Sequence, residues 1–178
     1  VCASPWAADY LGRHPLLLDE LLDPRLYDMA TDWAAFRENL RHNLASHAGD
    51  TEREMDILRE MHHAQIFRLL AQDLAGLQTI EKLSDHLTEL ADTIVQETLP
   101  LVWSKLRNRH CETPRFAVIG YGKLGGIELG YASDLDLVFL HDSVGDTQAT
   151  DAAKPVRTRH RDAGNFVTQD SRHGLFIG

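Results

Sequence analysis

Apolar residues recur at helical spacing through most of the first hundred positions, and only after that does the pattern change to short extended runs. From about Asp19 to Leu106 three amphipathic stretches follow one another, divided by turn signals. In the first, Trp33, Phe36, Leu40 and Leu44 fall at three- and four-residue intervals on one stripe, with Asp32 ahead of them as a cap. The second follows Gly49 and Asp50 and opens with Thr51 and Glu54 at the capping-box spacing. It carries Leu58, Met61, Phe67, Leu70 and Leu74 and stops at Gly76. The third starts near Ser84 or Asp85 and lines up Leu87, Leu90, Ile94, Thr98 and Val102. Pro100 cannot donate to the carbonyl four residues back, so a kink is expected there. After a polar linker at Asn108 to Pro114, Arg-Phe-Ala-Val-Ile-Gly from Arg115 to Gly120 predicts a strand. A second strand is predicted at Asp134 to His141. From Ser143 the apolar pattern gives way to Asp, Thr, Ala, Gly and basic residues, and no regular structure is predicted. The class is α+β: a helical region over 1–110, a strand-bearing segment over 111–142 and a tail over 143–178.

Composition narrows the function more than the fold. With 178 residues, 43% of them hydrophobic, the chain has apolar mass for about one core. Eighteen Lys and Arg against 27 Asp and Glu leave a net charge of -9, which argues against a partner held by its phosphate backbone, so no nucleic acid is expected. Apolar runs such as Leu16 to Leu18 and Leu137 to Leu140 fall far short of the roughly 20 residues that span a bilayer, so no membrane role is expected either. Cys2 and Cys111 stand far apart, without metal-ligand spacing or a secretory leader, which predicts a reducing, cytoplasmic setting. The chain begins at Val1 with no Met, as a trimmed or partial chain would. Ten histidines include the adjacent pair His62 and His63, but neighbours on a helix point about 100° apart and do not chelate one ion together. A solvated helix face accounts for them, and for the charge-rich Glu52 to Glu60.

Chemistry concentrates between the two predicted strands. Gly120 to Gly126 reads Gly-Tyr-Gly-Lys-Leu-Gly-Gly, which has the glycine spacing of a dinucleotide-binding turn, and Asp142 lies 22 residues after Gly120, near where a ribose-binding acid belongs. Two features oppose that assignment. Only eight residues separate Gly125 from the second strand, too few for the helix of a parallel crossover. That strand also opens with two carboxylates, Asp134 and Asp136, where a central parallel strand is almost continuously apolar. Side chains two apart on a strand share a face, with about 7 Å between Cα atoms. Two acids so placed repel unless a cation lies between them, and Mg²⁺ carrying a nucleoside triphosphate is such a cation. Gly122, Gly125 and Gly126 then leave room for phosphates beside backbone N–H groups, and Lys123 balances charge. The bland alternative is a strand-capping Asp134 and an Asp136 that faces water.

Strand, glycine turn, short helix and Asp-x-Asp strand is a layout similar to that of polymerase-β-like nucleotidyltransferases, whose motif is Gly-Ser or Gly-Gly, a spacer, then Asp-hydrophobic-Asp or Glu. Here Gly122 and Lys123 take the first pair, ten residues follow, and Asp134-Leu135-Asp136 closes the pattern. Lys123 departs from the usual Ser. The whole run from Gly120 to Asp142 resembles the bifunctional glutamine synthetase adenylyltransferase and adenylyl-removing enzymes. His14 to Asp23 and Lys82 to Leu87 resemble them too, so the likeness covers roughly residues 3 to 142. That family carries two nucleotidyltransferase domains, one adding AMP to a tyrosine of glutamine synthetase and one removing it. Tyr121 and the Gly-Tyr-Ala-Ser of Gly130 to Ser133 look more like the adding copy.

The resemblance implies a helical region followed by an incomplete polymerase-β-like nucleotidyltransferase domain that begins within 111–142. It implies ATP as AMP donor, Mg²⁺ as cofactor, and glutamine synthetase and the PII signalling protein as partners. Asp134 and Asp136 are the implied catalytic and metal-binding residues, with Gly122, Lys123, Gly125, Gly126 and Ser133 at the nucleotide. The family continues into a helix and a strand that brings a third carboxylate, near Glu-Val-Asp-x-Arg-Leu-Arg-Pro, and Ser143 to Gly178 contains no such segment. Two alternatives stand beside this: a non-catalytic helical interaction module with a vestigial nucleotide site, and a nicotinamide-binding oxidoreductase.

Overall fold

The computed structural model of the chain describes residues 5–13, 31–106, 112, 116–141 and 175–177. Within them the order is α1 (Pro5–Arg13), α2 (Trp33–Ser46), α3 (Thr51–Leu74), α4 (Ile80–Lys105), β1 (Phe116–Tyr121), α5 (Gly122–Gly125), β2 (Asp136–His141) and β3 (Leu175–Ile177). The class is α+β, as the patterning predicts. The chain forms two compact units, one of Val1–Ile94 with Ile127–Ser133, the other of Val95–Gly126 with Asp134–Gly178.

In the first unit α2 follows its sequence pattern closely. Asp32 Oδ1 accepts the Ala35 N–H at 2.9 Å, satisfying one of the orphan donors of the first turn, and Leu40 and Leu44 are buried. At α3 the cap lies one residue earlier than the Thr51 spacing predicts. Asp50 Oδ1 accepts the Arg53 N–H at 3.1 Å, and Glu54 reaches back to the Gly49 N–H at 3.0 Å. Asp50 prevails because it holds the non-helical backbone position, with φ -93 and ψ 91, while Thr51 is already the first residue of the helix. Glu54 is accordingly buried, an exception to the solvated face expected over Glu52 to Glu60. The buried stripe of α3 is formed by Ile57, Phe67 and Leu69, while Leu74 is half exposed. The helix stops where Gly76 takes φ +69, with its N–H on Asp73 O and the Leu77 N–H on Gln72 O, the paired bonds of a Schellman end.

Helix α4 begins at Ile80, several residues before the predicted Ser84 or Asp85. The Thr79 hydroxyl accepts the Lys82 N–H and Thr79 O accepts the Leu83 N–H, so Thr79 is the cap. Leu83, Leu87, Leu90, Thr93 and Glu97 are buried, whereas Val102 is exposed. Pro100 lies inside the helix, which runs on to Lys105. Arg37 of α2 donates to Thr93 Oγ1 at 3.2 Å and lies 3.7 Å from Glu89, fastening α2 to α4. The sequence pattern did not single out α1. Pro5 starts it, at the one helical position where a missing N–H costs nothing, and Tyr10 and Leu11 pack on Phe67.

In the second unit the three strands lie in the order β2-β1-β3. Both pairings are antiparallel, with Val118 opposite Phe139 and Tyr121 opposite Asp136 on one side of β1, and Val118 opposite Leu175 on the other. Strand β3 revises the expectation of a tail without regular structure: Leu-Phe-Ile is an apolar, β-favouring triplet that finds a free strand edge. Strand β2 begins at Asp136 rather than Asp134. The His14 to Asp23 segment, Asp142 and most of the predicted linker lie outside the described residues. Within the described residues no helix is long and apolar enough to cross a membrane.

Candidate functional site

The glycine turn is built by the end of β1. Tyr121 is still extended at φ -117 and ψ 178, and Gly122 then turns to φ +56 and opens the single turn of α5. A positive φ there suits glycine because other residues pay for the clash of Cβ with the following carbonyl. The second reason is the neighbour. A Cβ on Gly122 would overlap Asp136 Oδ2 and come within 3.3 Å of its Cγ. The cross-strand register explains the encounter, since Asp136 faces Tyr121, the last residue of β1 before the turn. The missing side chain thus makes the space in which the Asp136 carboxylate sits.

The other glycines divide the work differently from the expectation that all of them admit phosphate. A Cβ on Gly125 would stand 2.5 Å from Gly120 O, so Gly125 lets α5 close onto the backbone of β1. The N–H of Gly126 bonds to Gly122 O at 2.9 Å and closes the helical turn. Lys123 is exposed on α5, while Leu124 is its buried anchor. Ser133 lies in the loop of the first unit, where its Oγ accepts the Gly130 N–H at 2.9 Å and its N–H donates to Gly130 O at 3.1 Å.

Asp134 and Asp136 are both exposed, Asp134 two residues ahead of β2 and Asp136 its first residue. Only Asp136 is therefore part of the strand, and the two acids are not alternate positions along it. An Asp-x-Asp pair with a carboxylate lodged over a Cβ-free turn fits Mg²⁺, which takes one or two carboxylates and completes its shell with phosphate oxygens and water. Among the described residues no group of three or more His, Cys, Asp or Glu gathers as a metal cage, so phosphate would have to supply the remaining ligands. The antiparallel pairing of β1 with β2 lacks the parallel strand–helix–strand unit that a dinucleotide turn needs. The glycine spacing belongs instead to an antiparallel strand pair with an acid, Asp136, at its turn end.

The family model for glutamate-ammonia ligase adenylyltransferase matches residues 1–168. The chain belongs to that family. It is 62% identical over 142 residues, 80% of its length, to the bifunctional glutamine synthetase adenylyltransferase/adenylyl-removing enzyme of Aromatoleum aromaticum. Proteins of the same description from Ralstonia nicotianae and Chromobacterium violaceum are 51% identical over 176 residues and 57% identical over 140, covering 96% and 79% of this chain. The chain spans only 15–18% of the length of these relatives. The family match runs past Asp142 and so extends beyond the 3–142 stretch that the motifs mark.

Proposed function

We propose that this chain contributes the nucleotide-binding start of a polymerase-β-like domain that transfers AMP from ATP to a tyrosine of glutamine synthetase, in the cytoplasm and under PII control. The single observation that carries this is the Asp136 carboxylate lodged over Gly122 at the end of the β1–β2 hairpin, in a chain whose family relatives bear that activity in their name. Asp134 and Asp136 would hold the cation, Gly122 leaves the space in which the Asp136 carboxylate sits, and Lys123 would offset negative charge on the triphosphate. Held by these carboxylates, Mg²⁺ would supply charge neutralisation at the phosphate oxygens and so favour departure of pyrophosphate. The tyrosine oxygen bonds to the α-phosphorus, the bond to the bridging oxygen breaks, pyrophosphate departs, and the hydroxyl proton is lost to solvent. Residues Tyr121 and Gly130 to Ser133 favour the adding over the removing direction.

Titration calorimetry of the 178-residue chain tests this, with Mg-ATP and NAD offered separately. Mg-ATP is expected to bind and NAD not, and Asp134→Asn or Asp136→Asn should each weaken Mg-ATP binding by at least about tenfold while melting is unchanged. Binding unchanged in both variants would place the nucleotide elsewhere. Binding of neither ligand by the wild type would leave the helical interaction module.

A further inference from the structure

Tyr121 is the last residue of β1 and leaves 56% of its surface in water. Aromatic residues favour strands because their rings pack against neighbours on the same face of the sheet. Tyr121 forgoes most of that packing, although Ile119, two residues back along the same face, is half-buried. A ring held largely in water beside a candidate site is a surface available for a ligand to cover.

The strand register fixes where that ring stands relative to the acid. Tyr121 pairs directly with Asp136, and residues paired across antiparallel strands project from one face with Cβ atoms about 5 Å apart. The ring therefore rises from the face that carries the Asp136 carboxylate. Side chains alternate along each strand, so Ile119 and its partner Val138 lie on that face as well, and Val138 is exposed. Val138 is the diagonal neighbour of Tyr121, at a separation of about 7 to 8 Å that an aromatic side chain can bridge. These residues, with Gly122 and Lys123, all belong to the second compact unit.

Asp136 marks a change in the character of this surface. Gly122 leaves the space the carboxylate occupies, and Lys123 after it is exposed and positively charged. Before Gly122, and across from it, stand an aromatic ring and two apolar side chains. A nucleoside triphosphate divides in the same way, into phosphates that require cations and a flat base with an extended π face. A metal ion at Asp136 accounts for the first half, and the exposed ring of Tyr121 suits the second, because aromatic faces stack in offset pairs.

We propose that Tyr121 is a nucleotide-contact residue, on whose ring the purine base of the triphosphate stacks while the phosphates stay with the cation at Asp136. The proposal deepens the nucleotidyl-transfer function stated above and rests on it for the presence of the nucleotide. Stacking uses the face of the ring and reads no particular base, so Tyr121 favours a nucleoside triphosphate over bare polyphosphate without selecting adenine.

Titration calorimetry of the 178-residue chain with Mg-ATP and with Mg-tripolyphosphate, which has three phosphates and no nucleoside, separates the two halves of the site. Tyr121→Val keeps a strand-favouring side chain and removes the ring. Its affinity for Mg-ATP should fall about tenfold or more, and that for Mg-tripolyphosphate should stay within about twofold of the wild type. Mg-GTP should lose affinity by the same factor as Mg-ATP. Tyr121→Phe keeps the ring and should bind Mg-ATP as the wild type does, a rescue that a role for the hydroxyl would not give. In the unsubstituted chain, the Tyr121 ring protons, assigned by their loss in the Tyr121→Phe spectrum, should shift upfield with Mg-ATP and not with Mg-tripolyphosphate. Wild-type affinity for Mg-ATP in Tyr121→Val, with Asp136→Asn still impaired, would overturn this proposal and leave the nucleotidyl-transfer reading standing. Equal loss of both ligands in Tyr121→Val, equal loss of Mg-ATP in Tyr121→Phe, or an unshifted ring with Mg-ATP bound would each overturn it too. A wild type that binds neither ligand would overturn the proposed function, and the stacking role with it.

Discussion

A methyl group added at position 122 is the smallest change that separates the site from the fold. Gly122→Ala introduces a Cβ where φ is +56 and where the Asp136 carboxylate already sits, so the carboxylate must move. The backbone penalty is about 1–2 kcal/mol, which the sheet survives, but the acid is displaced from its place over the turn. Calorimetry should show Mg-ATP binding falling by more than about tenfold with only a few degrees lost in Tm. Gly125→Ala gives the converse. Its Cβ meets the Gly120 carbonyl, a backbone atom that cannot step aside, so melting of the strand unit should drop while any Mg-ATP binding measured below the transition keeps its wild-type stoichiometry. Both glycines were legible in the sequence as a spaced pair beside Asp134-Leu135-Asp136. Which one faces the acid was not, because that is fixed by the pairing of Tyr121 with Asp136 across two strands.

For the helices the caps carry the sharpest test. Asp50→Ala should cost about 1 kcal/mol of stability, and Thr51→Ala markedly less, because the Asp50 side chain and not that of Thr51 takes the Arg53 N–H. Thermal unfolding followed at 222 nm checks the ranking. Acid should also loosen these helices. His62 on α3 and His86 on α4 are both pushed below the ordinary 6.5, first by burial, then by His63 for His62. At His86 the neighbouring charges of Asp85 and Glu89 oppose the shift and Lys82 adds to it. The unfolded chain therefore binds the proton more readily than the folded one. Stability is fully present above about 6.5 and declines as pH falls from there toward the lower folded values. Asp92, raised by burial, acts with the opposite sign nearer pH 4. Denaturant titrations at pH 7.5 and 5.5 should differ, and the double variant His62→Gln, His86→Gln should shrink the difference. Periodicity located α2 and its apolar stripe because Leu40 and Leu44 repeat at helical spacing, and it located α3 but not its buried stripe, which runs through Ile57, Phe67 and Leu69 and shares only Phe67 with the predicted one. It placed the start of α4 too late because the Thr79 cap precedes two polar residues, Glu81 and Lys82, that dilute the apolar signal. Strand β3 escaped notice because a three-residue strand is visible only through its partner Val118.

At the scale of the whole chain, binding and catalysis should part company. Two carboxylates suffice to hold a cation on the triphosphate, but in-line transfer also needs the attacking oxygen fixed and activated, and the described residues gather no third acid for that task. Labelling of glutamine synthetase by this chain with radioactive ATP and Mg²⁺ should therefore run about a thousandfold or more below that of a longer polypeptide of the family. Comparable labelling by the two would show that a residue already within the 178 supplies the missing group. Strand β2 has a further consequence. It is an edge strand, paired among the described residues only with β1, and Leu135, Val138, Phe139 and Leu140 on and beside it are all exposed. An open hydrophobic edge recruits the same edge of another molecule, and what discourages such stacking is charge at its ends. Asp134 and Asp136 provide that charge at one end of Leu-Val-Phe-Leu, so the acids proposed above to hold a cation are also expected to disfavour self-association of the edge. Neutralising Asp136 should for that reason lower the soluble yield and shorten the lag of thioflavin-T fluorescence, and saturating Mg²⁺ without nucleotide, which masks the same charge, should shorten it in the wild type.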